Sequence, residues 1–86
     1  MFMKATIAVT NSQRGMFAAK AENGEFVIFE LLDSDAPEIG DAVSHPDFRS
    51  MGQEDYKNLT RGGTISVFVQ NIVETLEQAR RQCLLQ

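Results

Sequence analysis

Residues 13–31 read QRGMFAAKAENGEFVIFEL. The pair Asn23-Gly24 separates two apolar runs, residues 16–21 and residues 26–32. Asn-Gly is the strongest short signal for a two-residue type I′ turn, so the pattern predicts a β-hairpin. A hairpin with one face in water should alternate between apolar and polar residues, whereas this one is apolar on both faces. The second face therefore needs a cover, from the rest of the chain or from a partner.

A two-residue turn also predicts which side chains share a face, because it pairs Ala21 with Phe26 and Phe17 with Glu30. One face is then expected to point into the interior of the sheet. Its members are Phe17, Ala19, Ala21, Phe26 and Ile28. The opposite face is the one that needs the cover. Its members are Met16, Ala18, Lys20, Val27, Phe29 and Leu31.

Further strands are expected on both sides of the hairpin. Residues 3–10 alternate between apolar and polar, which indicates a half-buried strand. Residues 64–70, TISVFVQ, predict another, with three aliphatic residues on one face and Phe68 alone on the other. Shorter strands are predicted at residues 42–44 and 55–60, separated by turn-forming segments rich in Gly, Pro and Asp.

The chain is predicted to end in a helix over residues 71–85. Asn71 is a favourable N-cap, and Glu74 stands three residues later as in a capping box. Apolar residues then recur at helical spacing and form a stripe on one side. They are Ile72, Leu76, Ala79 and Cys83, with Val73 and Leu84 widening the stripe.

Short strands at this spacing, followed by one helix, predict the fold class: a mainly β, five- to six-stranded OB-like or SH3-like barrel with one C-terminal α-helix. The 86 residues suffice for a single domain, with the barrel at residues 3–70 and the helix at residues 71–85. No internal repeat interrupts this plan.

Composition narrows the class of partner and the compartment. The net charge is −4, and an acidic chain as a whole repels the phosphates that nucleic-acid binders attract. The single cysteine excludes an internal disulfide and fits a reducing compartment. The N-terminal segment lacks the pattern of a signal peptide, and no run has the length of a membrane helix. We therefore expect a cytoplasmic protein that does not interact with a membrane.

Three features of the first half resemble cold-shock and other OB-fold barrels. They are the segment NSQRGMF at residues 11–17, the run FVIF at residues 26–29 after a glycine turn, and a loop that ends in Gly40-Asp41. The resemblance covers roughly residues 4–43. It implies a barrel that binds single-stranded nucleic acid through Lys4, Arg14, Lys20 and Phe29, with Phe29 at a position where the family stacks a base.

The chain departs from that family at most of the stacking positions. Val9, Met16 and Ala18 stand where the family has aromatic residues, and Glu30 replaces the histidine that follows the third strand. Stacking contributes about 1–3 kcal/mol per base, so most of the affinity for single strands is lost. Single-stranded nucleic-acid binding is therefore an alternative rather than the leading interpretation.

We favour the C-terminal helix as the cover of the second hairpin face. Leu76, Ala79 and Cys83 would then meet Val27, Phe29 and Leu31, and Met16 would complete the covered face. A partner protein or a second copy of the chain is the rival cover, and a ligand groove is a third. A Leu or Phe buried in this way stabilises the fold by about 1.5–3 kcal/mol.

Three other motifs could indicate catalysis, calcium binding or prenylation, but each has a simpler structural interpretation. His45 has no nucleophile nearby in the sequence, so we expect a structural or merely solvated loop residue and not a catalytic one. The acids of residues 33–41 break the EF-hand pattern, because Pro37 and Glu38 occupy positions that must hold a ligand and a glycine. The final residues, CLLQ, match a prenylation box, but the helical spacing predicts a core position for Cys83. We expect no metal and no cofactor.

The sequence thus predicts a non-enzymatic interaction or structural module, because it brings together no convergent set of ionisable groups. A protein partner or a homodimer is expected. Single-stranded nucleic-acid binding is the alternative, and a small molecule in the barrel mouth is a third interpretation.

Overall fold

The computed structural model describes residues 3–84 and shows a mainly β fold, a closed barrel of six strands with one C-terminal helix within that range. The predicted fold class is confirmed. Around the barrel the strands follow the order β1-β2-β3-β6-β5-β4, and every neighbouring pair is antiparallel. The elements are β1 (Met3–Asn11), β2 (Met16–Ala21), β3 (Phe26–Leu31), β4 (Ala42–His45), β5 (Gly52–Asn58), β6 (Thr64–Val73) and α1 (Leu76–Leu84).

The predicted turn of the β2–β3 hairpin is wrong by one residue. The amide of Gly24 donates to the carbonyl of Ala21, and the amide of Ala21 donates to the carbonyl of Glu25. Gly24 has a φ of 90°, whereas Asn23 does not have a positive φ. This is a three-residue loop, a type I turn followed by a left-handed glycine, and not a type I′ turn. The Asn23 side chain stabilises it by accepting a hydrogen bond from the amide of Glu25.

The extra loop residue shifts the pairing, so that Phe17 lies opposite Phe29 and Ala18 opposite Ile28. A shift of one residue moves every side chain of a strand to the other face. The faces predicted for β2 are therefore correct, and those predicted for β3 are reversed. Val27 and Phe29 point into the barrel, whereas Phe26 and Ile28 point outward.

The barrel interior holds the larger of two apolar clusters, and aromatic rings lie at its centre. Phe17 and Phe29 stack with their ring centroids 5.6 Å apart, and Tyr56 presents its edge to Phe29 at 5.3 Å. Phe48, from the loop between β4 and β5, packs against Tyr56 and closes one end. This loop thus supplies a core residue, and the predicted strand at 55–60 begins earlier, at Gly52.

The second apolar cluster lies outside the barrel, beneath α1, which packs on β1, β2 and β3. Its aliphatic and aromatic members come from four strands and the helix. A β-bulge between Ile7 and Val9 turns Val9 outward, so that β1 contributes to this cluster as well as to the interior. The members are Val9, Met16, Ala18, Phe26, Ile28, Val73, Ala79 and Cys83.

The helix begins later than predicted. β6 continues to Val73, so Asn71 and Ile72 belong to a strand and not to the helix. Thr75 is the N-cap: its hydroxyl accepts from the amide of Gln78, and the Gln78 side chain accepts from the amide of Thr75. This is a capping box of the Thr-x-x-Gln type. Glu74 does not have the role that the sequence predicted for it.

Candidate interaction surface

The helix-covered face differs in detail from the predicted one. Met16, Ala79 and Cys83 lie in the cluster beneath α1. Val27 and Phe29 were predicted on this face because the β2–β3 register was predicted wrongly. They lie in the barrel interior. Leu31 also packs against the interior, at the edge of that cluster. Leu76 is 41% exposed, because the helix turns its Ala79–Cys83 side toward the strands.

Cys83 is fixed at the end of the helix. Its side chain is fully buried, and burial raises the pKa of its thiol to about 11. The side-chain amide of Asn11 donates to its backbone carbonyl at 3.0 Å, which satisfies one of the carbonyls left free at a helix end. Prenylation would require this thiol to be accessible as a thiolate. The last two residues of the CLLQ motif lie outside the described residues.

His45 is held by hydrogen bonds on both ring nitrogens. Nδ1 accepts from the amide of Asp47 at 2.9 Å, and Nε2 lies 2.8 Å from a carboxylate oxygen of Glu54. Since Nδ1 accepts, Nε2 carries the proton and donates to Glu54. The ring packs against Phe48 and Tyr56. This geometry fixes the loop between β4 and β5, which agrees with the structural role expected for His45.

Asp41 organises the acidic loop between β3 and β4. Its carboxylate accepts from the amide of Glu38, from the side chain of Asn58 and from Nε of Arg61. The backbone hydrogen bond from Glu38 is the main reason that the pKa of Asp41 lies below its ordinary value, and Asn58 and Arg61 act in the same direction. Within residues 3–84, no three His, Cys, Asp or Glu side chains are grouped so that they could hold a metal ion.

Clefts lie at both ends of the barrel. The pocket beside Phe48 and Arg49 has a volume of about 80 Å³, which is below the usual 300–1,000 Å³ of a small-molecule site. At the other end, two open clefts of about 460 and 480 Å³ lie on either side of Ala36. They are broad surface depressions beside the acidic loop, and Arg61 there is already paired with Asp41.

The residues predicted for nucleic-acid binding do not form one site. Lys4, Arg14 and Lys20 are exposed. Phe29, in contrast, is fully buried and stacks on Phe17 inside the barrel. The prediction that Phe29 stacks on a base is therefore wrong, and the cause is the reversed face of β3.

An exposed apolar surface lies on the outer side of β6, and we name it the Phe68 face. Phe68 is 44% exposed on β6, and it lies between Glu30 of β3 and Gln53 of β5 in the pairing of the strands. Leu32, 47% exposed, continues β3 through its amide, which donates to the carbonyl of Ser66. The face consists of Glu30, Leu32, Gln53, Asp55, Ser66, Phe68 and Gln70.

Local hydrogen bonds fix the polar side chains of the Phe68 face. Gln70 donates to the carboxylate of Glu30 at 3.2 Å, and the hydroxyl of Ser66 donates to Asp55 at 3.2 Å. Asp33, just after β3, accepts from the amide of Ser66. An exposed aromatic ring is thus surrounded by carboxylates held in place. The sequence contained this signal, because Phe68 is the one large apolar residue on the polar side of the strand at residues 64–70.

Comparisons of the chain with family models, with curated proteins and with solved structures found no match. The resemblance to OB-fold barrels accordingly stays a prediction. Within residues 3–84, the structure has no helix long and apolar enough to cross a bilayer. The function of the chain must follow from its own surfaces.

Proposed function

We propose that this chain is a small non-enzymatic module that binds a protein partner through the Phe68 face. The observation that carries the proposal is the position of Phe68 and Leu32, two of the exposed large apolar residues, on one face of the same sheet. Aromatic residues are enriched at protein interfaces, where a central apolar group supplies much of the binding energy and a polar rim excludes water.

The chemistry around Phe68 favours a basic partner segment. The carboxylates of Glu30 and Asp55 lie on neighbouring strands at either side of β6, and a cation is attracted both to them and to the face of an aromatic ring. A partner that presents an Arg or Lys beside an apolar side chain fits this arrangement. The single buried cysteine is compatible with a reducing compartment, so we propose that the protein acts in the cytoplasm.

The helix-covered face is a poorer candidate for a partner, although the sequence left that alternative open. Ala18 and Ile28 are fully buried there by the chain's own helix. A partner would have to displace α1 and expose this cluster to water, at a cost of about 1.5–3 kcal/mol for each large side chain. The Phe68 face requires no such rearrangement.

The test compares capture by the wild-type chain with capture by two variants. Phe68→Thr removes the ring and keeps a residue favourable in strands. Leu76→Ala is the matched control, since Leu76 is exposed to a similar degree on the helix. Partners are identified by quantitative mass spectrometry after capture from a lysate of the source organism, and each is then tested for binding as a purified protein.

We expect a partner that binds the wild type and Leu76→Ala equally and binds Phe68→Thr at least tenfold more weakly. Sedimentation of the purified chain at increasing concentration distinguishes a second copy from another protein, because self-association through this face would be lost in Phe68→Thr. The proposal is wrong if every partner of the wild type also binds Phe68→Thr with unchanged affinity.

A further inference from the structure

The outer faces of β2, β1 and β5 carry the three lysines of the chain. β4 lies between β1 and β5, and in the strand pairing Ser44 of β4 is directly opposite Lys4 on one side and Lys57 on the other. Adjacent strands are about 4.8 Å apart, so the backbones at Lys4 and Lys57 are roughly 10 Å apart. On β2, which also pairs with β1, Lys20 lies opposite Thr6. Thr6 is two residues after Lys4 and lies on the same face of β1. We name Lys4, Lys20 and Lys57 the lysine row.

The lysine row differs in its charge environment from most of the other cations. Arg49, Arg61 and Arg81 each form an ion pair with a carboxylate. Among the described residues 3–84, none of the three lysines forms an ion pair within 4.0 Å. The chain has more acidic than basic residues, and yet its three lysines lie on the neighbouring strands β2 and β1 and on β5, on the other side of β4, without an ion pair among the described residues.

The neighbouring residues restrict the lysines and the width of the positive surface. Ser44, which lies between Lys4 and Lys57 in the strand pairing, is only 4% exposed. The Lys20 ammonium lies 6.0 Å from the centre of the Phe26 ring, which restricts its position. Two carboxylates limit the row at its ends. Glu22 accepts a hydrogen bond from the backbone amide of Lys4, and Asp55 lies two residues before Lys57. The positive surface is therefore narrow.

We infer that the lysine row is a contact site for the phosphate backbone of a nucleic acid, bound without readout of its bases. The three cations spread over three strand spacings, about 14 Å. This exceeds what one phosphate can neutralise, whereas successive phosphates of a strand meet all three. Ammonium groups act as point charges toward phosphate. Phe26, the aromatic residue beside Lys20, is 6% exposed and packed beneath the helix, so it does not stack on a base. A duplex should therefore bind at least as tightly as a single strand.

The inference does not rest on the Phe68 proposal, because the lysine row shares no residue with the Phe68 face, although β5 contributes to both. Its test is fluorescence anisotropy of the full chain with a labelled mixed-sequence duplex of about 20 base pairs. If three phosphates are neutralised, the logarithm of the binding constant should fall with the logarithm of the salt concentration with a slope of about −2.7. The affinity should then fall roughly 80-fold between about 20 and 100 mM salt.

The decisive comparison is between two variants that lose the same charge. Lys4→Gln/Lys20→Gln/Lys57→Gln removes the lysine row, and Arg49→Gln/Arg80→Gln/Arg81→Gln removes three exposed cations elsewhere. We expect the first to lose at least tenfold in affinity at low salt and the second less than threefold, with thermal unfolding used to verify that both are folded. A single-stranded oligonucleotide and polyglutamate are the competing ligands.

Three results would overturn the inference. They are an absence of binding to the duplex at low salt, equal losses in the two variants, and tighter binding of polyglutamate than of the duplex. The last would indicate an acidic protein segment in place of a nucleic acid. Tighter binding of the single strand would contradict the backbone-only mode and point to bases contacting the surface.

Discussion

The outer side of β3 belongs to two regions with opposite character. Phe26 and Ile28, in its first half, lie under the helix and are almost inaccessible to water. Glu30, the next outward residue, lies beside the exposed ring of Phe68. The boundary between a closed apolar surface and an open polar one thus falls within one strand. The chain thus covers its largest apolar outer surface with its own helix. The surface that it leaves exposed has an aromatic residue among carboxylates.

The largest expected effect comes from removing the cover. A chain that ends at Glu74 keeps all six strands but lacks the helix residues Ala79 and Cys83. Exposing Phe26, Ile28 and their neighbours should cost on the order of 5 kcal/mol, which is comparable to the whole stability of a small domain. We expect the truncated chain to aggregate or to be unfolded in size-exclusion chromatography and thermal melting. A soluble monomer with an unchanged melting temperature would contradict the account.

A pair of substitutions tests the boundary within β3. Ile28→Ala should lower the free energy of unfolding by about 2–4 kcal/mol, because it leaves a cavity between the strand and the helix. Glu30→Ala, two residues away on the same side of the strand, should change it by no more than about 0.5 kcal/mol. Urea unfolding of both variants measures the difference. Equal effects would mean that the closed region does not end between these residues.

A smaller effect is expected at Asp41, at the end of the loop between β3 and β4. Asp41→Asn should lower the free energy of unfolding at pH 7 by about 1–2 kcal/mol, since the ion pair with Arg61 is lost. The folded-state pKa of Asp41 lies below the unfolded value of about 3.9. Its stabilising contribution is therefore present above that value and disappears as the pH falls through the folded pKa.

The pH dependence provides the control for this substitution, because all other carboxylates titrate in both chains. The difference in unfolding free energy between wild type and Asp41→Asn should shrink as the pH is lowered from about 4 toward the folded pKa. Urea unfolding at pH 7 and at low pH measures it. A difference that is the same at both pH values would show that the charge of Asp41 is not what stabilises this loop.

The strands and the barrel could be predicted from the sequence, because apolar and polar residues alternate clearly along most strands. Ile65, Val67 and Val69 point inward and Phe68 outward, as their spacing predicted. The register of the hairpin was not predictable in the same way. Asn-Gly is compatible with both a two-residue and a three-residue loop, and β3 is apolar on both faces, so its hydrophobic pattern could not decide between them.

The candidate surfaces depended on that register and on the start of the helix. The face of Phe29 was predicted from the wrong pairing, and with it the site for a nucleic-acid base. Thr75 and Gln78 form a capping box that the sequence contained, but Asn71 offered a competing N-cap four residues earlier. The strand pairings that align Lys4, Ser44 and Lys57 join segments distant in the sequence, and no local pattern predicts them.

Whether α1 covers the outer apolar face can be measured by comparing the unfolding free energies of two variants in the helix. Ala79 is fully buried against the strands, and the adjacent Arg80 is exposed. Ala79→Gln forces a longer polar side chain into this interface and should cost at least about 2 kcal/mol. Arg80→Gln introduces the same residue on the water side and should cost no more than about 0.5 kcal/mol. Equal unfolding free energies for the two variants would contradict the central claim.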